Sequence, residues 1–386
     1  MRNKNSIFVR MRIAVNTRLL LKDKLEGIGW YTYETLSRIV KSHPEHEFYF
    51  LFDRPYSKEF IFEKNVHPVV ISPPTRHPIL WYIWFEWRIP KILRKINADV
   101  FLSPDGFLSL KSNTPSIAVI HDINFKHHPK NLKFIHRIFY NYFFKKYAKK
   151  ASRIVTVSEY SKQDICNSYN IDASKIDLSL NGVNSNFHPI GLQDQIATRN
   201  KYSDSKDYFI FVGALHPRKN ILRLLLAFDA FKSETKSSNK LLIVGAKMWW
   251  NNDLKKCFEN LTYKGDIIFT GRKNTEELNQ LYSSALALCY VPYFEGFGIP
   301  IIEAMKCACP VITSNVSAMP EVAGDAALLV NPFEIKEITD AMTKLNANSE
   351  LRAELSSRGQ IHSQHFNWNT TAIALWESIE KVMHKC

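Results

Sequence analysis

Two glutamates flank a glycine-rich turn in the sequence EGFGIPIIE, residues 295–303. The glycines let a ligand approach the main chain, and Pro300 suits the first position of a helix. We therefore expect a helix to begin here, with the amides of residues 297–301 directed at a phosphate. An ionised carboxylate accepts hydrogen bonds and repels phosphate, so Glu295 and Glu303 should instead hold hydroxyls on either side of a diphosphate. A nucleotide sugar fits this pattern; the alternative is a plain turn in which the helix dipole alone favours Glu303.

A second candidate loop, GALHPRKN at 213–220, places two cations before an apolar helical pattern. Arg218 and Lys219 lie where the helix dipole is positive, which costs about 0.3–1 kcal/mol unless an anion intervenes. A diphosphate held between this helix start and the one at 299 would remove the conflict. Alternatively, both side chains point into solvent.

Both loops follow apolar runs in the second half of the chain. The runs read as strands 207–213, 241–245, 266–271, 285–292, 310–315 and 326–332. Between them, 220–232, 275–285 and 299–307 have apolar residues every three or four positions and read as helices. This alternation predicts a parallel sheet covered on both faces, with ligands bound beyond the carboxyl ends of its strands.

The first half repeats the pattern less regularly. Its predicted strands are 11–16, 46–52, 98–104, 116–122 and 153–158. A polar stretch at 188–206 reads as the crossing between the halves, and 386 residues suffice for about two domains. The sequence thus predicts an α/β protein with Rossmann-like parallel-sheet domains at 1–190 and 203–366.

Positive charge is concentrated in the first half. Residues 1–190 hold 29 Lys and Arg against 16 Asp and Glu, a net charge of +13, whereas the remainder has a net charge of +1. The first half is therefore expected to face something anionic: nucleic acid, a phospholipid surface or a lipid-diphosphate acceptor.

Composition narrows the protein class. No stretch carries the roughly 18–20 uninterrupted apolar residues of a membrane span. Arginines interrupt the N-terminal segment too often for a signal peptide; it reads as a first strand, with Met11 as an alternative start. The six cysteines form no C-x-x-C pair, which favours a reducing cytoplasm over a disulfide or zinc framework.

Several segments match the pattern of one enzyme family. The stretch from FVGALHPRKN to AALLVNP contains an E-x7-E pattern at Glu295 and Glu303. NTRLLLKDKLEGIGWYTYETL, VIHDINF and LNGVNSNFHP are similar to the family's glycine loop, HD segment and NGV segment. Over nearly its whole length the chain resembles the retaining GT-B glycosyltransferases of family 4 (group 1), particularly their bacterial mannosyltransferase-like branch.

The resemblance implies an architecture and a donor site. Two domains would face each other across a cleft, the first binding the acceptor and the second the nucleotide-sugar donor, and the last helix (367–386) would pack back on the first domain. Glu295 would hold the donor sugar near the reacting carbon, and Glu303 the ribose. Lys219, helped by Arg218, would bind the diphosphate; many members have an arginine where this chain has Ala214, and Arg218 would take over its duty.

The other implied contacts come from both halves. Gly29 would let the first domain approach the phosphate, and His121 would face the sugar, although a histidine satisfied at a strand end is an equal alternative. The remaining donor contacts are the backbones of Gly296, Phe297, Gly298 and Ile299 at the diphosphate, and the Gly271-Arg272 turn at the base.

The resemblance also implies a reaction. The enzyme would transfer a hexose with retention of anomeric configuration, from GDP-mannose first, ahead of UDP-glucose or another UDP-sugar, to a saccharide or lipid-linked saccharide in cell-surface polysaccharide synthesis. Cations and amides would stabilise charge on the leaving diphosphate. The chain contains no D-x-D triplet, so neither a metal nor a cofactor is expected. The two glutamates are not expected to form a glycosidase acid/base pair, because neighbouring cations should keep both ionised.

The basic half contains two aromatic stretches, 79–90 and 133–151, that are candidates for the acceptor side. Most of these aromatics are expected in the core, yet a basic helix with an aromatic face can lie in a bilayer interface. Contact with the anionic inner membrane, from the cytoplasmic side, is the resulting hypothesis.

Three other classes of protein explain fewer of these sequence features. A nucleic-acid-binding protein would account for the charge but not for the two phosphate loops. A dinucleotide oxidoreductase would need more than Gly27-Ile28-Gly29, since a lone G-x-G carries little weight. A sugar-binding homologue without activity remains an alternative.

Overall fold

The computed structural model describes residues 10–246, 250 and 252–383. They form two units: residues up to 181 together with those from 368 onward, and residues 182–367. Each unit is built on one parallel β-sheet.

The strands are β1 Arg12–Asn16, β2 Glu47–Phe52, β3 Val66–Val70, β4 Val100–Ser103, β5 Ser116–Val119, β6 Arg153–Thr156, β7 Ile176–Leu178, β8 Tyr208–Val212, β9 Lys240–Val244, β10 Ile267–Gly271, β11 Ala287–Tyr290, β12 Val311–Ser314 and β13 Leu328–Val330. The α-helices are α1 Gly27–Ser42, α2 Pro78–Ile83, α3 Ile89–Lys95, α4 Asn124–His127, α5 Phe134–Lys150, α6 Glu159–Tyr169, α7 Leu192–Ser203, α8 Ile221–Thr235, α9 Asn252–Asn260, α10 Thr275–Ser284, α11 Ile299–Lys306, α12 Met319–Ala323, α13 Ile335–Ala347, α14 Ser349–Ser363 and α15 Trp368–Met383.

The sheet of the first unit has seven strands in the order β3-β2-β1-β4-β5-β6-β7. All five strands predicted in this half are present. The prediction missed β3 and β7, which are the two edges of the sheet. Strand β3 contains a proline, which an edge strand tolerates, and β7 has only three residues. Neither shows a long apolar run.

Of the twelve Phe, Trp and Tyr residues at 79–90 and 133–151, six lie in the buried core of the first unit and three more pack against it. Trp84 and Phe85 are fully buried. The ring of Phe107 lies 5.2 Å from that of Phe85 and 5.9 Å from that of Phe139, so the segment that follows α2 meets helix α5 over one aromatic cluster. Apolar burial of this kind is the main stabilisation of the unit.

The C-terminal helix α15 completes the first unit by packing on α1. Arg38 Nε donates a hydrogen bond to Asn369 Oδ1 at 2.8 Å, and Ser179 Oγ donates to the carbonyl of Thr371 at 2.9 Å. The ring of Tyr31 meets that of Trp368 at 6.3 Å. The first unit is therefore discontinuous in sequence.

The sheet of the second unit has six strands in the order β10-β9-β8-β11-β12-β13. All six predicted strands are confirmed, and the three predicted helices correspond to α8, α10 and α11. The polar stretch 188–206 contains helix α7, which the sequence analysis did not predict. Only Thr198 and Ser203 of that helix are buried, so it has almost no apolar face to reveal it.

In the described part of the chain, every helix is too short or too polar to cross a bilayer.

Candidate functional site

Glu295 lies in the loop between β11 and α11, at the carboxyl end of the second sheet. Its side chain is almost completely buried. The loop between β12 and α12 holds the backbone of Glu295 in place. The Glu295 amide donates to Ser317 Oγ at 3.3 Å, and the Ala318 amide donates to the Glu295 carbonyl at 3.4 Å. Ser317 adopts a left-handed conformation, φ 57°, and gave no signal in the sequence.

Both cations of the 213–220 loop contact the Glu295 carboxylate. Arg218 Nη1 forms an ion pair with Glu295 Oε1, and Lys219 Nζ lies 2.5 Å from the same oxygen. Burial raises the pKa of Glu295, but the two cations outweigh it and lower that pKa to about 2. The carboxylate is therefore ionised at physiological pH, and in the free protein it is the anion between the two cations.

The two cations lie just outside α8. They belong to a short 3₁₀ turn, Pro217–Lys219, and Asn220 in a left-handed conformation (φ 62°) separates this turn from the helix. The expected conflict between the cations and a helix start is thus resolved within the protein.

Tyr290, the last residue of β11, is a contact that the sequence prediction missed. Its side chain is fully buried, and its hydroxyl accepts a hydrogen bond from Lys219 Nζ. The ammonium also lies 4.8 Å from the centroid of the ring. A tyrosine that ends an apolar strand was the available signal, since its hydroxyl can reach the loop side of the sheet.

The glycine-rich turn precedes α11 as predicted, with helix bounds of Ile299–Lys306. Gly298 has φ 98°, and a Cβ there would lie 2.8 Å from Met319 Cε, so the turn requires glycine. Two details differ from the prediction. Pro300 is the second helical residue rather than the first, and the Ile301 amide donates to the Gly298 carbonyl at 3.0 Å. The set of phosphate-facing amides therefore cannot extend to Ile301.

The other turn residues are buried. Gly296 and Phe297 are both inaccessible or nearly so, and the ring of Phe297 packs edge-on against that of Phe366, 5.7 Å between centroids. This packing holds the backbone of the turn in place.

Glu303 lies one turn into α11 and has a different environment from Glu295. Its Oε2 accepts a hydrogen bond from the hydroxyl of Tyr282 at 3.0 Å. Burial raises the pKa of Glu303 to about 7, with this hydrogen bond opposing the rise. The expectation that cations keep both glutamates ionised is thus wrong for Glu303, because its close partner is a neutral phenol.

The Gly271-Arg272 turn is joined to the Gly213 loop through the backbone. The Gly245 amide donates to the Gly271 carbonyl at 2.9 Å, and the Gly213 amide donates to the Val244 carbonyl at 2.9 Å. A Cβ on Gly245 would lie 2.1 Å from the Gly213 carbonyl oxygen, so three strand ends meet closely here. Arg272 is exposed.

Two predicted residues belong to the first unit. Gly29 is buried near the start of α1, and a Cβ there would meet the Leu19 carbonyl oxygen at 3.0 Å, so close packing inside the unit already accounts for a glycine. His121 follows β5, and its ring packs edge-on against that of Tyr31 at 5.0 Å.

His121 is neutral. Burial lowers its pKa, outweighing the opposing effects of Pro104, Asp122 and Asp105. Its Nε2 lies 2.9 Å from the Pro104 carbonyl, an acceptor, so Nε2 carries the proton and Nδ1 is left as an acceptor. One nitrogen is thus structurally satisfied, and the other retains acceptor capacity.

Two family models match the two halves of the chain. The model of glycosyl transferases group 1 matches residues 193–362, and that of Glycosyltransferase Family 4 matches residues 25–187.

Among similar proteins, the O-antigen chain mannosyltransferase B of Escherichia coli is 26% identical over 364 residues, which are 90% of this chain and 94% of that protein. The O-antigen chain mannosyltransferase RfbU of Salmonella typhimurium is 31% identical over 280 residues, 70% of this chain and 74% of that protein. Among solved structures, Anabaena HepE in complex with UDP-glucose matches 96% of this chain and 100% of its own with a TM-score of 0.75 at 17% identity.

Proposed function

This chain belongs to the group 1 glycosyltransferases of family 4 and has the GT-B fold, and on this basis we propose that it transfers mannose from GDP-mannose to a saccharide in cell-surface polysaccharide synthesis. The mannosyltransferase names of the E. coli and Salmonella relatives support the sugar. The observation that carries the proposal is the buried Glu295 carboxylate paired with Arg218 and Lys219 at the ends of β8 and β11.

The donor diphosphate is proposed to lie between these cations and the start of α11. Charge, backbone geometry and burial all support this position: two cations on one side, and on the other a helix that begins after a left-handed glycine. Glu303 would accept the ribose hydroxyls, and the Gly271-Arg272 turn would lie along the base. Proposed diphosphate contacts at the helix are the backbones of Gly296, Phe297, Gly298 and Ile299.

We further propose that the diphosphate and Glu295 exchange partners. In the free protein the carboxylate neutralises Arg218 and Lys219. A diphosphate carries more negative charge than one carboxylate and can take over both cations. Glu295 would then be released to accept hydroxyls of the donor sugar.

Retention and independence of metals are also proposed. Preorganised cations stabilise the charge that develops on the leaving diphosphate as the glycosidic bond breaks. Arg218 and Lys219 supply that charge without a divalent ion. In the first unit, Gly29 and His121 remain the proposed contacts, with Nδ1 of His121 as the acceptor atom.

The first unit is proposed to bind the acceptor and to contact an anionic membrane from the cytoplasmic side. Helix α5 carries five Lys and Arg residues and no Asp or Glu. Its outer face begins with Phe134, Ile135 and Ile138, which are 68%, 40% and 51% exposed. An apolar groove continues this face, lined by Pro78, Ile79, Tyr82, Ile135, Ile138, Phe139, Tyr142 and Phe143. Exposed apolar side chains on a helix whose charged residues are all basic match the interface of an anionic bilayer.

A UDP-sugar donor is the second candidate, because the HepE structure contains UDP-glucose in the same fold. Turnover of GDP-mannose and of UDP-glucose by the purified protein, followed as release of nucleoside diphosphate, decides between them. Glu295→Ala and Lys219→Ala should abolish turnover while thermal unfolding still shows a folded chain. If a panel of nucleotide sugars neither shifts the melting temperature nor is turned over, the chain is a non-catalytic homologue and the proposal is wrong.

A further inference from the structure

Three potential metal ligands lie together in the first unit, in the turn between α1 and β2. His43 directly follows α1, and Glu45 and His46 precede β2, in the sequence His43-Pro44-Glu45-His46. Each side chain offers one ligand atom, and the three atoms lie within 4.8 Å of one another. The proposed transfer reaction uses none of these residues.

The distances between the ligand atoms suit a tetrahedral ion. Glu45 Oε1 lies 3.4 Å from His43 Nδ1 and 3.5 Å from His46 Nε2. Around a tetrahedral zinc ion with bonds of about 2.1 Å, neighbouring ligand atoms are about 3.4 Å apart. Two edges of such a tetrahedron are therefore already present, and the third pair of ligand atoms lies within 4.8 Å.

Both histidine rings are held in position by packing. The ring of His43 stacks on Trp376 of α15 at 3.6 Å, and that of His46 is nearly parallel to the same indole at 5.3 Å. His46 is 5% exposed.

Aromatic stacking alone explains less of this cluster. Stacking on Trp376 would account for both ring positions, and a hydrogen bond for the contact between His43 Nδ1 and Glu45 Oε1. Neither requires the same carboxylate oxygen to lie at near-equal distance from two imidazole nitrogens.

We propose that His43 Nδ1, Glu45 and His46 Nε2 bind a zinc ion, or another divalent ion that prefers imidazole, with water in the fourth position. Nitrogen and oxygen ligands of this kind suit zinc rather than magnesium or calcium, which prefer oxygen alone. The ion lies at the opposite end of α1 from Gly29, about 21 Å away at 1.5 Å per residue. It therefore serves the first unit as a structural clamp between α1, β2 and the indole of α15, and takes no part in sugar transfer.

Metal titration of the full chain, prepared without a histidine tag and stripped with chelator, tests the proposal. Zinc affinity is measured by competition with a chromophoric chelator, and cobalt is used as a spectroscopic probe whose visible bands report four-coordinate N/O ligation. We expect one ion per chain and a higher melting temperature with zinc. His43→Gln and Glu45→Gln should each weaken binding at least about tenfold.

His67→Gln is the matched control, because His67 belongs to the same unit and lies 3.7 Å from Glu47, outside the cluster. It should bind zinc like the unmodified chain. Binding that is absent, or that is equal in His43→Gln, Glu45→Gln and His67→Gln, would overturn the proposal. Unchanged sugar transfer in Glu45→Gln would agree with the assigned structural role, whereas a loss of transfer in a stably folded variant would contradict it.

Discussion

Removing the negative charge of Glu295 should tighten the binding of a free nucleoside diphosphate. In the free protein, Arg218 and Lys219 both contact this one carboxylate. A diphosphate must compete with it for the same cations. Glu295→Gln removes the competitor and keeps the side-chain shape, so the two cations are available to the ligand from the start.

The size of the effect follows from the pKa of Glu295. That pKa falls from an ordinary 4.5 to about 2 although burial opposes the fall. At about 1.4 kcal/mol per pH unit, this corresponds to roughly 3 kcal/mol of net favourable interaction with the carboxylate. Full release of that interaction would tighten GDP or UDP binding by up to about 100-fold. At pH 7 the carboxylate is fully ionised, so the whole effect is measured there.

Isothermal titration of GDP and UDP into both proteins, at one salt concentration, provides the measurement. Glu350→Gln is the matched control, because it makes the same substitution at an exposed site on α14 of the same unit. The Glu295→Gln protein should bind diphosphate more tightly yet lose transfer, since it cannot hold the sugar. Weaker or unchanged diphosphate binding in Glu295→Gln would refute the exchange of partners.

Four further outcomes are expected. Lys219→Met should lower turnover by about 10²–10³-fold with little change in melting temperature, as one preorganised charge is lost; a stable variant with normal kinetics would contradict this. Nucleotide affinity should rise as pH increases through about 7, because Glu303 then ionises and becomes the better hydroxyl acceptor; in Glu303→Gln the affinity should be lower and independent of pH over this range. Gly298→Ala should lower the free energy of unfolding by about 1–2 kcal/mol, because the backbone at this position is left-handed; urea unfolding measures the change. Gly265→Ala is the control and should lower the free energy of unfolding by less, because a Cβ there meets no atom within 4 Å. The protein should float with anionic liposomes more than with neutral ones, and Ile138→Glu should reduce this binding; equal flotation in all cases would exclude the membrane surface.

The fold was largely predictable because buried parallel strands are continuous apolar runs. All eleven strands that show such runs were found, and only the edge strands β3 and β7 were missed. Helix α7 was missed for the opposite reason: a mostly solvated helix carries little periodic signal.

The sequence also identified the charged residues of the candidate site, but it did not show which of them contact each other. The loops after β8 and β11 are far apart in sequence, and nothing in either loop indicates that Arg218 and Lys219 contact Glu295 in the free protein. The raised pKa of Glu303 likewise depends on Tyr282, a residue of a different helix. Such contacts arise only when the strand ends are brought together.

The discontinuity of the first unit has a consequence for biosynthesis. Helix α15 is made last, yet it packs on α1, which is among the first elements made. The second unit is continuous in sequence and can reach its native state during translation. The half that the ribosome produces first is therefore the half that is finished last, and a nascent chain that terminates before residue 368 leaves the apolar face of α1 uncovered for chaperones and proteases.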